Sequence, residues 1–433
     1  MKKFVKLSSK KKILFNEVNN YFKDIDPKKL KPSKWKVPIG GGYYDHREVN
    51  SVLNCYLNGH LSTQIPVVSF ENNFSKYIGL KYAVATNSGT SANILALNTL
   101  IENGELKKGD KVAIPATTFI SVATPILQLG LIPIYIDVKN DLNMNIDELF
   151  NAIKKHKDIK CVMIVHTLGM PAEMLKLRQL TKKKNITIIE DCCEAHGATI
   201  QNKKIGSFGD ISTWSFYVAH NMTTAEGGMV LMRSKKHYTI CSELREFGRL
   251  KSYKGERYGF STKNKSNGLK NFDERYVFHR IGWNFRMSDA PAAFGIQQLK
   301  KLDLMNSKRI QNAKFLIKNL GKINHLELPK LNSKHIKNTF YSFPILLKKN
   351  SKINRKKLVQ YLENSGIETR AIMCGTLPDQ PSLTNAPGIN FGKLKNSRYI
   401  RDNGFFIGCH PLLTIKSLKY VVNIFDKFFK KIS

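Results

Sequence analysis

Between residues 82 and 234, short apolar runs alternate with stretches of helical periodicity. Tyr82–Thr86, Lys111–Pro115, Ile132–Asp137, Cys161–Val165 and Ile186–Ile189 read as strands. Near-continuous apolar runs bounded by turn residues are the mark of strands buried on both faces. The intervening 94–104, Ile120–Leu129, Asn145–Lys155 and Ala172–Lys183 read as helices. Such alternation predicts a parallel or mixed sheet between helical layers. Ile211–Tyr217 and the run from Gly227 to Ser234 extend the sheet, and Ser234–Leu250 reads as a long helix. Val49–Leu57 and Val68–Ile78 read as amphipathic helices ahead of it. Polar Lys251–Glu274 reads as an exposed insertion, and a helix is expected over Ala290–Leu304.

The rhythm then changes. Helices over Ile310–Leu320, Arg355–Ser365 and Ile415–Phe429, with strands over Thr339–Leu347 and Glu368–Met373, suit a small α/β domain capping a cleft. The expected division is a basic segment at 1–45, a large domain at 46–300 and a small domain at 301–433. Gly40–Gly42 would form a flexible turn before the folded body.

Composition narrows the function classes. The net charge is +37, from 56 Lys and 14 Arg against 33 acidic residues. The excess is lysine, spread along the chain, whereas base and phosphate recognition favours the bidentate Arg fork. No nucleic-acid-binding motif appears, so solvated surfaces explain the charge, which can still steer an anionic small molecule. No run approaches the roughly 18 apolar residues that a membrane helix needs. The N-terminus lacks the apolar core and cleavage site of a signal peptide, so a cytoplasmic location is expected. Seven cysteines, with no CxxC pair, argue against disulfides and a zinc site.

Candidate chemistry collects at predicted strand ends, where open α/β sheets bind ligands. Asn87–Asn93 joins a strand to a helix start, either as a plain N-cap or as an anion site of free N–H groups and hydroxyls. Thr117–Phe119, His166 and Asp191 occupy other strand ends. Asp191 closes an apolar strand and needs a partner, either a local Lys or Arg or a protonated ring nitrogen. His220 follows the Ile211–Tyr217 run, as a packed core histidine or as a working one.

Taken together, NSGTSAN (87–93), Thr118–Phe119, HTLGMPAEM (166–174), IIEDCCEAHGA (188–198), the block 206–230, IGWNFRMSDAPAAFGIQQL (281–299) and CHPLLT (409–414) resemble the DegT-type sugar-nucleotide aminotransferase family. The resemblance implies an aspartate aminotransferase-like, fold-type I pyridoxal phosphate (PLP) enzyme: a large domain with a mixed, mostly parallel sheet, and a small C-terminal α/β domain. It implies that Asp191 holds the pyridinium nitrogen and Phe119 stacks on the ring. Gly89, Thr90, Ser91 and Ser215 would form the phosphate site, with Asn284 reaching in from the second subunit of a homodimer. Glu194 stands where Gln or His is usual, near the ring hydroxyl, and Ala225 where glycine is usual.

One departure changes the expected reaction. Aminotransferases of this family carry at position 220 the lysine that binds PLP covalently, and no lysine lies between Gly206 and Val230. Histidine there resembles the 3-dehydratase branch, which acts on nucleotide-linked 4-keto-6-deoxyhexoses in deoxysugar and lipopolysaccharide biosynthesis. The implied cofactor is non-covalent pyridoxamine phosphate (PMP) or PLP, with His220 as catalytic base. Some relatives in that branch hold a [2Fe–2S] cluster in the insertion after the histidine. Residues 249–280 match that insertion in length but contain no cysteine, and a cluster takes four thiolates or a Cys/His mixture. No cluster and no metal is therefore expected, and glutamate is the expected amino donor. A 4-aminotransferase with non-covalent cofactor and an inactive sugar-nucleotide-binding homologue are the alternatives.

Overall fold

The computed structural model describes residues 2–25, 34–182, 184–249, 276–331 and 333–431. The insertion expected at Lys251–Glu274 lies outside the described residues. An eight-stranded sheet organises the chain. Its order, edge to edge, is Tyr82–Thr86, Gly228–Met232, Ile211–Ser215, Thr187–Asp191, Ile159–Val165, Lys111–Pro115, Ile132–Ile136 and Ile389–Asn390. Gly228–Met232 runs antiparallel to both neighbours, and the other pairs are parallel. Seven strands therefore end on the same side of the sheet.

Alternation of side chains puts Ala113 in the apolar layer on one face and Val112 and Ile114 in the layer on the other. All three are fully buried, which is why Lys111–Pro115 reads as an unbroken apolar run. The covering helices follow local rules. Ile146–Lys155 is capped by Asn145, whose side chain accepts from the N–H groups of Asp147 and Glu148. It carries those acids in its first turn and Lys154 and Lys155 in its last, matching the helix dipole.

A second, antiparallel sheet orders Leu326–Glu327, Phe343–Leu347, Gly404–Ile407 and Thr369–Ala371. Phe343, Ile345, Leu362, Phe405 and Phe425 fill its core. No described helix is long and apolar enough to cross a membrane.

Several elements differ from the pattern reading. A single helix spans Asp289–Leu320, at ~1.5 Å per residue about 48 Å long, and the expected domain division at residue 300 falls inside it. Ile389–Asn390 returns from the C-terminal part to pair with Ile134 and Tyr135 of the large sheet. The helix expected over Ile120–Leu129 is a 3-10 turn, Ile120–Val122, followed by Ala123–Gln128. Pro125 has no N–H to return to the Ser121 carbonyl, and that carbonyl instead accepts from the Asn93 side chain at 3.1 Å. The strand expected from Thr339 begins at Phe343, because Phe340 adopts φ +47°. Ala225 has φ +68°, a left-handed conformation costing about 1–2 kcal/mol for an L-residue, so the glycine usual at this position has a steric reason.

Candidate active site

A cavity of about 660 Å³ opens at the shared C-terminal ends of the strands, under the small domain. Gly89, Thr90, Phe119, Asp191, Glu194, Ser215 and His220 all line it. Ser91 and Asn284 do not.

The wall at the start of helix Gly89–Glu102 has the build of an anion cradle. Ser88 is its N-cap, accepting from the Ser91 N–H. The Ser91 hydroxyl donates to Asn87 Oδ1 at 2.6 Å, so Ser91 braces the turn and does not face the cavity. Gly89 is required by packing: a Cβ there would sit 2.5 Å from Ser215 Cβ and 3.0 Å from its Oγ. Gly228 serves the same end, since a Cβ would lie 2.2 Å from the Ser88 carbonyl oxygen. Together they bring the helix N-terminus, the Thr90 hydroxyl and the Ser215 hydroxyl to one point, which suits a phosphate.

Asp191 ends the Thr187–Asp191 strand and is 5% exposed. Its partners are neutral: Asn93 Nδ2 donates to Oδ2 at 3.1 Å and the Cys193 N–H to Oδ1 at 3.1 Å. No ion pair to Lys or Arg forms among the described residues, so the local salt bridge weighed from the sequence is absent there. The carboxylate keeps acceptor capacity toward the cavity. Phe119 is 56% exposed, a large apolar ring left open on the cavity wall.

His220 lies beyond Ser215, its backbone N–H bonded to the Tyr217 carbonyl at 3.0 Å. Nδ1 is buried without a partner, leaving Nε2 as the nitrogen open to the cavity. Burial, then the nearby Arg309 guanidinium, lowers the pKa to about 3, so the resting imidazole is neutral. Among the described residues, no lysine lines the cavity.

Glu194 accepts from the Leu168 N–H at 2.7 Å. Burial pushes its carboxyl up to about 8, opposed by that hydrogen bond, with Asp191 adding to the rise. At neutral pH it is a proton donor, the role an amide NH₂ would fill for Gln. The folded pKa is raised, so its stabilisation is complete below the unfolded value near 4.5 and is lost as pH rises through about 8. In cofactor-free protein, Glu194→Gln should therefore gain stability over the native chain by up to about 1.4 kcal/mol per pH unit across that window. Thermal unfolding from pH 5 to 9 checks this, and a constant difference across that range would contradict it.

His166, grouped with the strand-end candidates, is structural. Its Nδ1 accepts from the Ala172 N–H at 3.0 Å and its Nε2 meets Glu190 at 3.1 Å. Glu190 also takes the N–H groups of Gly206 and Phe208. With Cys192 these two residues form a compact donor set, but the histidine and carboxylate lone pairs are already engaged. Asn284 stands outside the cavity of the single chain, accepting from Arg286 Nε at 2.9 Å.

Other lining groups carry no local sequence signal. Tyr341, Glu368 and Arg370 come from the small domain, and Ile39–Gly41 from the N-terminal segment. Gly40 and Gly41, expected as part of a flexible turn, line the cavity instead. The Ile39 N–H donates to Glu368 Oε2 at 2.9 Å, and Glu368 Oε1 pairs with Arg370 at 2.6 Å.

Strand ends, the helix N-terminus beside Ser215, a buried carboxylate and an exposed aromatic line one cavity, as expected from the sequence. The model of the DegT/DnrJ/EryC1/StrS aminotransferase family matches residues 43–426. The chain belongs to that family. It is 35% identical over 418 residues to the lipopolysaccharide biosynthesis protein RfbH of Salmonella typhimurium, with 94% of each chain covered. It is 31% identical over 376 residues to the dTDP-4-dehydro-2,6-dideoxy-D-glucose 3-dehydratase of Saccharopolyspora spinosa, covering 84% of this chain and 80% of that one. The structure of the Escherichia coli GDP-4-keto-6-deoxy-D-mannose-3-dehydratase with bound hydrated PLP aligns with TM-score 0.83 at 28% identity, covering 90% of this chain and 99% of that one. The fold is the fold-type I architecture, and the similarity runs to the 3-dehydratase branch of the family.

Proposed function

We propose that the protein is a PMP/PLP-dependent 3-dehydratase, a lyase removing the C3 hydroxyl of a nucleotide-linked 4-keto-6-deoxyhexose. The observation that carries this reading is His220: a neutral imidazole with a free nitrogen on the cavity, whose lining among the described residues holds no lysine. When bound, PMP supplies the amine that engages the 4-keto group and the electron sink that lets the C3 hydroxyl depart.

The protein's own part is to hold and to move protons. Gly89, Thr90 and Ser215 would take the phosphate, with Ser91 bracing their turn. Asp191 would hold the ring nitrogen, Phe119 would cover a ring face and Glu194 would face the ring oxygen. His220 Nε2 would take up the proton lost from the carbon that bears the amine PMP supplies, and the resulting imidazolium would return it to the departing C3 hydroxyl, which leaves as water. A neutral resting state is the form this sequence needs. Glutamate would renew the amine, and a homodimer would bring Asn284 to the site. The absence of cysteine from residues 249–280 supports a route without a [2Fe–2S] cluster. The reading places the enzyme in the cytoplasm, in deoxysugar or lipopolysaccharide biosynthesis.

The test is a product assay. Protein, PMP and a set of GDP-, CDP- and dTDP-linked 4-keto-6-deoxyhexoses are incubated, and products are read by mass spectrometry and NMR. A 3-deoxy-4-keto sugar is expected with one of them. A 4-amino sugar, or no conversion in the presence of bound PMP, overturns the reading.

A further inference from the structure

Behind His220 lies a second histidine. His196 is fully buried; its ring lies beside the Ser215 backbone carbonyl, but no ring nitrogen makes a well-formed hydrogen bond to it or to any other group. Its ring centroid is 6.0 Å from that of His220, the planes tilted by 43°. An unpaired buried polar group costs about 1–3 kcal/mol, so two such imidazoles side by side call for an explanation.

The surroundings fix both rings. Trp214 and Phe216 pack on His196 at centroid distances of 5.2 and 5.6 Å. Asn306 Nδ2 donates to the His196 carbonyl at 2.7 Å, while Asn306 Oδ1 accepts from Asn221 Nδ2 at 3.0 Å. One side chain of the long helix thus ties the His196 backbone to the residue after His220. One turn on, Arg309 is 2% exposed and bonds the Tyr341 carbonyl at 2.8 Å. It has no carboxylate partner among the described residues.

We propose that His196 is a positioning residue for His220: its imidazole faces the shut-off Nδ1 side and sets the tautomer that leaves Nε2 bare toward the cavity. This rests on the reading of His220 as the base. Because the pair is buried beside a cation, both rings are held neutral. Burial lowers the His196 pKa first, then the His220 ring, against a raising contribution from the Ser215 backbone and with Arg309 adding to the fall. At a centroid separation of 6.0 Å the two rings are too far apart to bond directly, and a single water would carry the link between Nδ1 of His220 and the His196 ring. Tyr217 and Tyr341 contact the His220 ring, and Asp191 and Glu194 share the cavity lining with it.

The experiment compares His196→Phe and His196→Gln in the full-length protein. Phenylalanine suits the aromatic surroundings but cannot bond Nδ1; glutamine can. Selective ¹⁵N-histidine NMR reads the His220 tautomer without substrate, and steady-state kinetics read the pH profile of kcat. The expected result is a changed tautomer ratio in His196→Phe, a 10- to 100-fold loss of kcat with PMP affinity kept, and recovery of most of both in His196→Gln. An unchanged His220 tautomer in His196→Phe overturns the proposal, as does a native pH profile with native kcat. If His196→Phe does not fold, native His220 resonances in His196→Leu overturn it and altered ones support it. Were the native protein inactive on every sugar, the dehydratase reading would fail while the NMR comparison still decided this one.

Discussion

His220→Asn should leave PMP affinity within about twofold and lower turnover by about 10³-fold, the usual worth of a placed acid–base group. Asparagine fills most of the same space and keeps a polar atom toward the cavity, but it cannot take up and return a proton. Isothermal titration with PMP and the 3-deoxy product assay measure the two effects separately. Turnover within tenfold of native would remove His220 from the chemistry. A large fall in PMP affinity would make it a binding residue instead. The substitution has a second, independent consequence. The folded pKa of His220 lies near 3, below the ordinary histidine value of about 6.5. As pH falls from 6.5 toward 3 the unfolded chain binds a proton that the folded site refuses, so histidine destabilises the fold in that window. The cofactor-free Asn variant should accordingly lose less stability than the native protein between pH 6.5 and 4, with little difference above pH 7.

How much of this was legible in the sequence depended on the kind of signal. The strand ends were, because fully buried strands such as Lys111–Pro115 and Thr187–Asp191 announce themselves as apolar runs. Their last residues then mark the ligand side of the sheet. The turn at 87–93 and the histidine at 220 were local for the same reason. The long helix was not, since its buried face carries Lys301, Asn306, Arg309 and Asn312, which look like solvent positions in a hydrophobicity pattern. Those polar residues are buried because they bond across elements: Lys301 meets Glu48 at 2.7 Å, and Asn312 meets the His410 carbonyl at 3.0 Å. The helix Lys395–Asn403 was missed because its sequence is polar almost throughout, with only Ser397 and Ile400 buried. Tyr341, Arg370 and Ile39–Gly41 reach the cavity from segments far apart in the chain, a juxtaposition made by tertiary packing alone. His196 lies within the segment 188–198, yet nothing in its sequence neighbours places it behind His220.

Gly89→Ala should raise the Kd for PMP about 100-fold, or about 2.7 kcal/mol, and should cost about 1–3 kcal/mol of fold stability by overpacking the buried helix–strand junction. Alanine is the better helix former, by about 1 kcal/mol at an interior position, so the helix itself gives no reason for a loss. The cost is geometric. The new methyl would lie 2.5 Å from Ser215 Cβ, and the helix start and the strand end must part by roughly 1 Å to admit it. A phosphate held between them loses contact with one side or the other, and misplacement of that size typically costs about two orders of magnitude. The steric account makes a sharper demand than the loss itself. Ser215→Gly alone removes a hydroxyl from the cradle and should weaken PMP binding about tenfold, an ordinary hydrogen-bond loss of ~1.4 kcal/mol. In the double variant Gly89→Ala, Ser215→Gly the colliding Cβ is gone, so binding should recover relative to Gly89→Ala despite the missing hydroxyl. Two substitutions that each weaken binding, yet together weaken it less than the worse one alone, are coupled through a shared contact. Additive losses would show that Gly89 acts through its backbone and not through its closeness to Ser215, and the cradle would have to be redrawn around the helix N–H groups alone.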